Sequence, residues 1–394
     1  MALVLLVAAT LLIRSFVALE RVDRGFDSRI ALTMLVSLDG TAHRDHAQRA
    51  PFFRELLARV NAMPGVESAA AINHLPIAGD NWHFPFAIEG RATAAGQAAP
   101  KALFRVVEPG YFAALRIRLR QGRDFSADDQ INSAHVTIVN ETMARRHWPN
   151  QDAIGQRISV DDPVKGADWF TIVGVAGDAT QARLSDATEA EMYFPYMLDP
   201  KRTDGTATLI SFLDPSNMSL FIRARGDAAA LAKPVQQIVR SMDRDAAVAA
   251  VATMDAVLAT QFTTPTFYLL LLGSFAGVAV VLAAVGVYGV ISYAAASRTR
   301  EMGVRIALGA SAAEPFRLIA ADGMRLAAVG GMVGLVAAFA LTRNLRALLF
   351  GVQPTDAPTF AVAAFVLACV ALVACYIPAR RAGKVDPVIA LRSE

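Results

Sequence analysis

Residues 298–311 read RTREMGVRIALGAS, the part of the sequence best suited to contact between molecules. Arg298, Arg300, Glu301 and Arg305 appear here directly after a long stretch without charge. Glu301 and Arg305 stand four apart, in the order in which an acid and a base support a helix. Gly309 and Ser311 offer a stop and a new start before Pro315. The expected product is a short helix whose arginines can pair with carboxylates and whose Ile306 and Leu308 can fill a groove. Two readings fit these side chains: a charged cap that anchors a membrane helix at the lipid headgroups, or a docking knob for a cytoplasmic partner.

Bond-making chemistry has no comparable candidate. The sequence contains no G-x-x-x-x-G-K-[ST], so the chain is not expected to hydrolyse ATP itself, and no G-x-S-x-G, H-E-x-x-H or C-x-x-C. His43, Asp45 and His46 lack an evident fourth ligand, and neither a metal nor a cofactor is expected. The pairs Asp128–Asp129 and Asp161–Asp162 are adjacent rather than facing and read as solvated turns. Trp82, Trp148 and Trp169 read as packing residues, and Cys369 and Cys375, six apart in an apolar run, as small apolar fillers. A net charge of +3 with no basic stripe among aromatics excludes nucleic acid as a partner.

The elements that must position residues 298–311 are membrane helices. Of the 394 residues, 54% are hydrophobic and 19% charged, and charge thins out after about residue 260. A soluble domain carries about a quarter charged residues, so a water-facing part and a membrane part are expected. Four stretches approach the ~20 apolar residues that cross a bilayer: 1–19, 267–297, 316–342 and 359–377, the last bracketed by Pro358 and Pro378. Arg14 interrupts the first, where its stem can snorkel to the interface; a signal peptide is the rival reading. Gly273 and Gly277, like Gly330 and Gly334, have the spacing that lets helices approach closely in lipid, within the chain or with another copy. Glycine is also simply frequent in membrane helices.

Short loops set the orientation. Arg298, Arg300, Arg305 and Arg317 lie between the second and third spans, and Arg380, Arg381, Lys384 and Arg392 after the fourth. Only Arg343 and Arg346 lie between the third and fourth. Both termini and the 298–317 segment are therefore expected in the cytoplasm, and residues 20–265 outside. Arg21 and Arg24 run against the rule, but long exported domains translocate largely regardless of charge.

The exported region reads strand, helix, strand at 31–38, 44–65 and 66–72, and again at 218–226, 227–243 and 246–254, with Asp227 as a helix cap. Two such units flanking an insert predict an α+β domain assembled from both ends. The insert, about 78–212, is expected to form a second lobe with strands at 101–107, 135–140, 155–160 and 169–178. A helix is expected at 141–148, capped by Asn140, and turns at 126–129 and 160–168.

The basic segment resembles the R-x-R-E-[IM]-G-[IV]-R-x-A-[LV]-G-A signature of MacB/FtsX-like ABC transporter permeases. Arg298, Arg300, Glu301, Gly303, Arg305, Ala307, Leu308, Gly309 and Ala310 match it. LPIAG (75–79), VEPGYF (107–112), IVNETMARRHWPNQDAIGQRI (138–158), FTIVGVAGDA (170–179) and YIPARRAGKVDPVIALRSE (376–394) agree with the same family, so the resemblance covers essentially the whole chain. It is strongest to the second half of duplicated permeases that lack an ATPase.

The resemblance implies an α-helical membrane protein with four transmembrane helices and a large two-lobed α+β periplasmic domain (20–265) between the first and second, then an FtsX-like permease domain (266–394). It places the chain in the bacterial cytoplasmic (inner) membrane. Residues Arg298, Arg300, Glu301, Gly303, Arg305, Leu308 and Gly309 correspond to a coupling helix seated in a cytoplasmic ABC ATPase subunit. Arg380, Arg381, Asp386, Pro387, Leu391 and Arg392 correspond to a second cytoplasmic contact. A second permease unit is implied, as are ATP and Mg on the partner ATPase, membrane lipid, and a periplasmic adaptor or effector. The outputs of the family are efflux, lipoprotein extraction and control of cell-wall hydrolases. The sequence departs in carrying no fused ATPase, so a partner must supply hydrolysis. Its abrupt first span is what a fragment or split half would show. An ATP-independent membrane receptor or scaffold is the alternative from the residues alone.

Overall fold

The computed structural model describes residues 1–43, 46–77, 81–91, 98–131, 135–160, 169–181, 187–196, 215–297 and 313–382. They fall into two compact units. One joins Met1–Val22 to the chain from Thr263 onward, and the other is Asp23–Phe262.

The membrane unit holds α1 (Ala2–Glu20), which opens the chain. The middle unit is built on one mixed sheet of twelve strands among the described residues. Its first elements are β1 (Ala31–Ser37), α2 (His46–Asn61) and β2 (Val66–Ile72). Phe53, Leu56 and Val60 of α2 recur at helical spacing and are buried.

The insert supplies β3 (His83–Pro85), β4 (Ala87–Ile88), β5 (Lys101–Val107), α3 (Tyr111–Leu115), β6 (Leu119–Gly122) and α4 (Ala127–Ile131). It continues with β7 (Val136–Asn140), α5 (Glu141–His147), β8 (Arg157–Ser159), β9 (Phe170–Ala176) and β10 (Glu191–Pro195). The far end returns as β11 (Asn217–Ala224), α6 (Ala232–Met242) and β12 (Ala247–Thr253).

Strand order runs β12-β1-β11-β2-β5-β10-β7-β9-β8-β4. The first four strands come from both ends of the unit and interleave. The sheet narrows where they meet the insert: among the described residues, β2 pairs with β5 through Ile72 and Val107 alone. Asn73 extends that contact with its side chain, its Oδ1 accepting from the Val106 amide at 3.0 Å. One apolar core still runs across the junction, from Leu32, Phe53 and Ile222 to Phe104, Phe170 and Phe194.

Asn140 does two jobs with one carboxamide. Its Oδ1 accepts from Met143 N at 2.9 Å, capping α5, and from Glu191 N at 3.0 Å, fixing the start of β10. Asp227 does not cap α6: its Oδ1 accepts from Ala229 N at 2.9 Å in the turn just before the 3-10 turn Ala229–Leu231, whose N-cap is Ala228, and α6 follows with Leu231 as its N-cap.

Two further sequence expectations are corrected. Residues 126–129 begin α4 rather than a solvated turn. Asp129 is buried there, its carboxylate taking both Arg123 Nη atoms at 2.5 and 2.8 Å and the Ser126 amide at 2.8 Å. Charge placed beside charge in sequence looked exposed, but an arginine six residues earlier neutralises it. The second correction is β10, which no sequence signal marked. Its Glu191 sits inside the sheet, fully buried, against an equally buried Arg105 of β5 (Nε to Oε1 2.8 Å). Tyr193 Oη donates to Glu191 Oε2 at 2.6 Å and Gln181 Nε2 to the same atom at 3.1 Å. Burial raises the Glu191 carboxyl above its usual range, while Arg105 and its hydrogen bonds pull the other way. The expected turn at 160–168 lies largely outside the described residues.

Removing one member of such a pair strands the other. Glu191→Ala should lower the unfolding free energy by about 3–5 kcal/mol, while the volume-conserving double change Arg105→Met with Glu191→Leu should cost clearly less. Denaturant unfolding of the detergent-solubilised chain followed by tryptophan fluorescence measures both; equal losses would show that the pair is not the cause.

Candidate functional site

Four helices among the described residues are long and apolar enough to cross a membrane. After α1 they are α7 (Met254–Ser297), α8 (Ala313–Leu341) and α9 (Ala357–Ala382). With 44 residues, α7 is about 66 Å long, roughly twice the ~30 Å hydrocarbon core. It starts well before the expected residue 267, and α9 runs on through Pro378.

Arg298, Arg300, Glu301, Gly303, Arg305, Leu308 and Gly309 lie outside the described residues, as do Asp386, Pro387, Leu391 and Arg392. The helix ends that flank them are described. A Cβ at Gly323, near the start of α8, would meet Cys375 Sγ of α9 at 2.6 Å and Ile291 Cδ1 of α7 at 2.9 Å. The carboxyl ends of α7 and α9 and the amino end of α8 therefore converge at one end of the membrane unit. Segments 298–312 and 383–394 both start from that end, and Arg380 stands on the last turn of α9, exposed.

Of the four glycines expected in helix packing, Gly334 makes a close approach within the chain: its Cβ would lie 3.2 Å from Leu3 Cβ of α1. Gly273, Gly277 and Gly330 have nothing within 4 Å on that side. Gly323 was not singled out in the sequence, although Ala327 stands four residues on. An apolar groove of about 460 Å³ runs beside this contact, lined by Leu3, Ala284, Val287, Gly330, Gly334 and Ala368 among others.

Arg14 and Asp356 explain each other. The guanidinium of α1 pairs with the carboxylate that caps α9, and Arg14 Nη1 also reaches Thr359 Oγ1 at 3.3 Å. The Thr359 hydroxyl donates to Asp356 at 2.6 Å and, with its amide, holds that carboxyl below the usual range. One residue on, Ser15 Oγ accepts from Phe350 N at 2.7 Å. The 342–356 connection thus clasps the carboxyl half of α1, at the end opposite Gly323. Leu3, Val7 and Leu11 of α1 pack on Ala338 and Ala363, so α1, α8 and α9 form one apolar cluster. Most of α7 stays out of it: Phe267, Leu270, Phe275, Val281 and Leu282 are exposed apolar side chains.

In the other unit, the segments that join it to α1 and to α7 are fixed at one place. Leu32 of β1 pairs with Thr253 of β12, and Met254 starts α7 with no intervening loop. Thr253 Oγ1 accepts from Ala256 N at 3.3 Å, a cap for α7. The segment before β1 is held by buried Arg223. Its three donors reach the carbonyls of Ala114 (3.0 Å), Arg29 (3.1 Å) and Asp27 (2.7 Å). Asp27 N donates to Leu115 O at 2.9 Å and Thr180 N to Arg24 O at 2.9 Å. Gly25, at φ +73°, lies so close to Asp178 that a Cβ would fall 1.9 Å from its carbonyl oxygen. The Arg29 guanidinium, hydrogen-bonded to Asp27, holds that carboxyl far below its usual range, and Arg116 adds a second contact at 2.8 Å.

No cluster of metal-ligating side chains forms among the described residues. His43 instead pairs with Asp243 at 2.9 Å.

Comparison with known proteins fits this arrangement of a folded unit between helices. Residues 1–257 match the family described as MacB-like periplasmic core domain, and residues 273–387 the FtsX-like permease C-terminal family. The chain belongs to the MacB/FtsX-like ABC transporter permease family. Relatives in this family include the macrolide export ATP-binding/permease protein MacB of Marinobacter nauticus, 24% identical over 278 residues, which are 70% of this chain and 40% of that protein. The pyoverdine export ATP-binding/permease protein PvdT of Pseudomonas syringae pv. syringae is 25% identical over 280 residues, again 70% and 40%. The uncharacterized ABC transporter permease YknZ of Bacillus subtilis is 24% identical over 289 residues, 73% and 69%. The matched part thus spans 40% of the length of the MacB and PvdT relatives. The periplasmic region of MacB from Actinobacillus actinomycetemcomitans aligns with a TM-score of 0.39 at 13% identity, covering 62% of this chain and 98% of that one. As a member of this family the chain is a multi-pass membrane permease.

Two variants probe the membrane unit. Gly323→Val inserts bulk where α7, α8 and α9 meet and should cost about 1–3 kcal/mol, seen as a lower thermal midpoint in detergent, with Ile291→Ala recovering part of it; no change would mean the three helices are not in contact there. A double-mutant cycle on Arg14→Gln and Asp356→Asn should give a coupling of about 0.5–3 kcal/mol; strict additivity would dissolve the clasp.

Proposed function

We propose that this permease is the membrane subunit of a MacB/FtsX-type ABC transporter. A separate cytoplasmic ATPase supplies ATP hydrolysis, and this chain carries the resulting motion to its periplasmic domain, for export or for mechanical signalling. ATP and Mg bind to that partner and not to this chain. A second permease unit completes the working assembly, and a periplasmic adaptor or effector receives the output.

The observation that carries this reading is the pairing of Leu32 with Thr253. It brings the segment that follows α1 and the strand that leads into α7 side by side, each rigidly held. A receptor needs only a tether between its domain and its anchor. A domain built to be moved needs its two attachments side by side, and this pairing supplies that. The convergence of helix ends at Gly323, Ile291 and Cys375 supports a single contact surface formed by 298–312 and 383–394. Arg298, Arg300 and Arg305 after α7, and Arg380, Arg381, Lys384 and Arg392 at and beyond the end of α9, support both segments facing the cytoplasm. On this reading Arg298, Arg300, Glu301 and Arg305 enter a cleft of the ATPase, with Leu308 in a groove, Gly303 and Gly309 permitting close approach, and Arg380, Arg381 and Arg392 forming a second contact. The names of the MacB and PvdT relatives, both export proteins with ATP-binding and permease parts, support export as the output.

The double variant Arg300→Glu with Arg305→Glu, co-expressed with the cognate ATPase, tests this. Each reversed arginine forfeits a charge-assisted contact of about 1.5–3 kcal/mol, so permease-stimulated ATPase activity should fall at least about tenfold at unchanged membrane levels. Unchanged stimulation would remove the docking role and favour an ATP-independent receptor or scaffold.

A further inference from the structure

The segment that follows β2, residues 73–77, is the place where α7 touches the insert's polar centre. Ile77 is buried and held at φ +63°, a left-handed conformation that β-branched residues adopt only when the surroundings impose it. What imposes it is a pair of hydrogen bonds pulling on the two sides of one residue. Its amide donates to Gln181 O at 2.7 Å. Its carbonyl accepts from Gln261 Nε2, on the eighth residue of α7, at 3.2 Å.

The connection continues inward. Gln181 is buried, and its Nε2 donates to Glu191 Oε2 at 3.1 Å. Glu191 takes Arg105 Nε on its other oxygen at 2.8 Å, and Arg105 Nη2 donates to Asn81 Oδ1 at 2.6 Å. The chain of contacts therefore runs from the base of α7 through Ile77 and Gln181 to β10 and β5, strands of the insert. Two buried atoms in it, Gln181 Oε1 and Arg105 Nη1, have no hydrogen-bond partner among the described residues. An unpaired buried donor or acceptor costs free energy, so this network is only partly satisfied and depends on the contacts at its boundary.

We propose that Gln261 is a positioning residue: by donating to the Ile77 carbonyl it keeps Ile77 in its left-handed conformation and so ties the base of α7 to the Gln181–Glu191–Arg105 centre. When α7 is displaced, the Gln261 contact opens, Ile77 relaxes, and the insert is released from the strands that carry the membrane helices. The chemistry required at position 261 is a side-chain N–H donor of about this length. A carboxylate there would repel the carbonyl, and a thioether would fill the space without a bond. The inference rests on the reading of the chain as a force-transmitting permease and adds to it the contact through which α7 addresses the insert.

The test uses the full-length chain in lipid nanodiscs. Cys369 and Cys375 are replaced by alanine, and spin labels are placed at exposed positions Ala256 on α7 and Asn150 in the insert. Unmodified Gln261 should give one narrow distance distribution. Gln261→Met should broaden it and make the Ile77 amide exchange with deuterium roughly fivefold faster, the loss expected of one hydrogen bond. Gln261→Lys, which restores a donor, should return both readouts towards the starting values, a recovery that mere packing at this position would not produce. Identical distances and exchange in all three forms, or failure of lysine to rescue where methionine disrupts, would overturn the assignment. These measurements need no ATPase. If they fail while the Arg300→Glu and Arg305→Glu double variant still uncouples hydrolysis, Gln261 is dismissed and the transport reading stands.

Discussion

The antiparallel pairing of β1 with β12 is the constraint from which the rest of the architecture follows. Leu32 and Thr253 stand at opposite ends of the middle unit's chain and opposite each other in the sheet. Because strands alternate direction, the residue before β1 and the residue after β12 must emerge at the same edge. A chain that leaves a membrane helix, folds a domain of this size and returns to another membrane helix is thereby closed at its neck. The entropy of closing so long a loop grows only logarithmically with its length, so a short ladder of strand hydrogen bonds backed by an apolar core suffices. β11 then completes the core of the neck by pairing with β1 on its other side and with β2 beyond.

Within that closed neck, buried charge does work that apolar packing cannot. Arg223 addresses three carbonyls of two separate segments at once, which a leucine of the same size could fill against but not orient. Arg105 and Glu191 do the same for β5 and β10, parallel strands whose other cross-strand contacts are apolar, such as the stacked rings of Phe104 and Phe194. Registry by a buried ion pair costs desolvation and yields a unique alignment. In the membrane unit the logic is the same with a thinner cover: Arg14 is placed where the Asp356 cap meets it, near the end of the span.

Much of this was legible in the sequence because hydrophobic period is a local property. Strands 66–72 and 101–107 and the Asn140 cap were set by residues within a few positions of each other, and the interleaving of the two terminal units followed from their similarity. What was not legible depended on which partner the fold turns onto a charged or small residue, mostly from far away in sequence. Glu191 in EMYFP reads as a break in a strand until Arg105 is placed beside it. Asp129 reads as solvated until Arg123 turns back onto it. Gly323 has only Ala327 at small-residue spacing, a pairing too common to mark it, yet it is where three helices meet, because the bulk it must accommodate belongs to Ile291 and Cys375. The paired glycines that do have the spacing mostly face away from this chain. The basic elbow was read from charge and from family resemblance, and its surroundings enter through the helix ends that bracket it.

Strain points to the same two places as the hydrogen bonds. Among the described non-glycine residues, the β-branched ones at positive φ are Ile30 and Ile77. Ile30 lies immediately before β1, in the segment that Arg223 holds after α1, and its carbonyl accepts from Ala224 of β11 at 2.9 Å. Ile77 lies under Gln261 of α7. Neither conformation is intrinsic to isoleucine; each residue has hydrogen bonds on both of its flanking peptides. A glycine or an extended segment would reach the same places without strain, so the cost of the two left-handed isoleucines is borne by the hydrogen bonds that hold them.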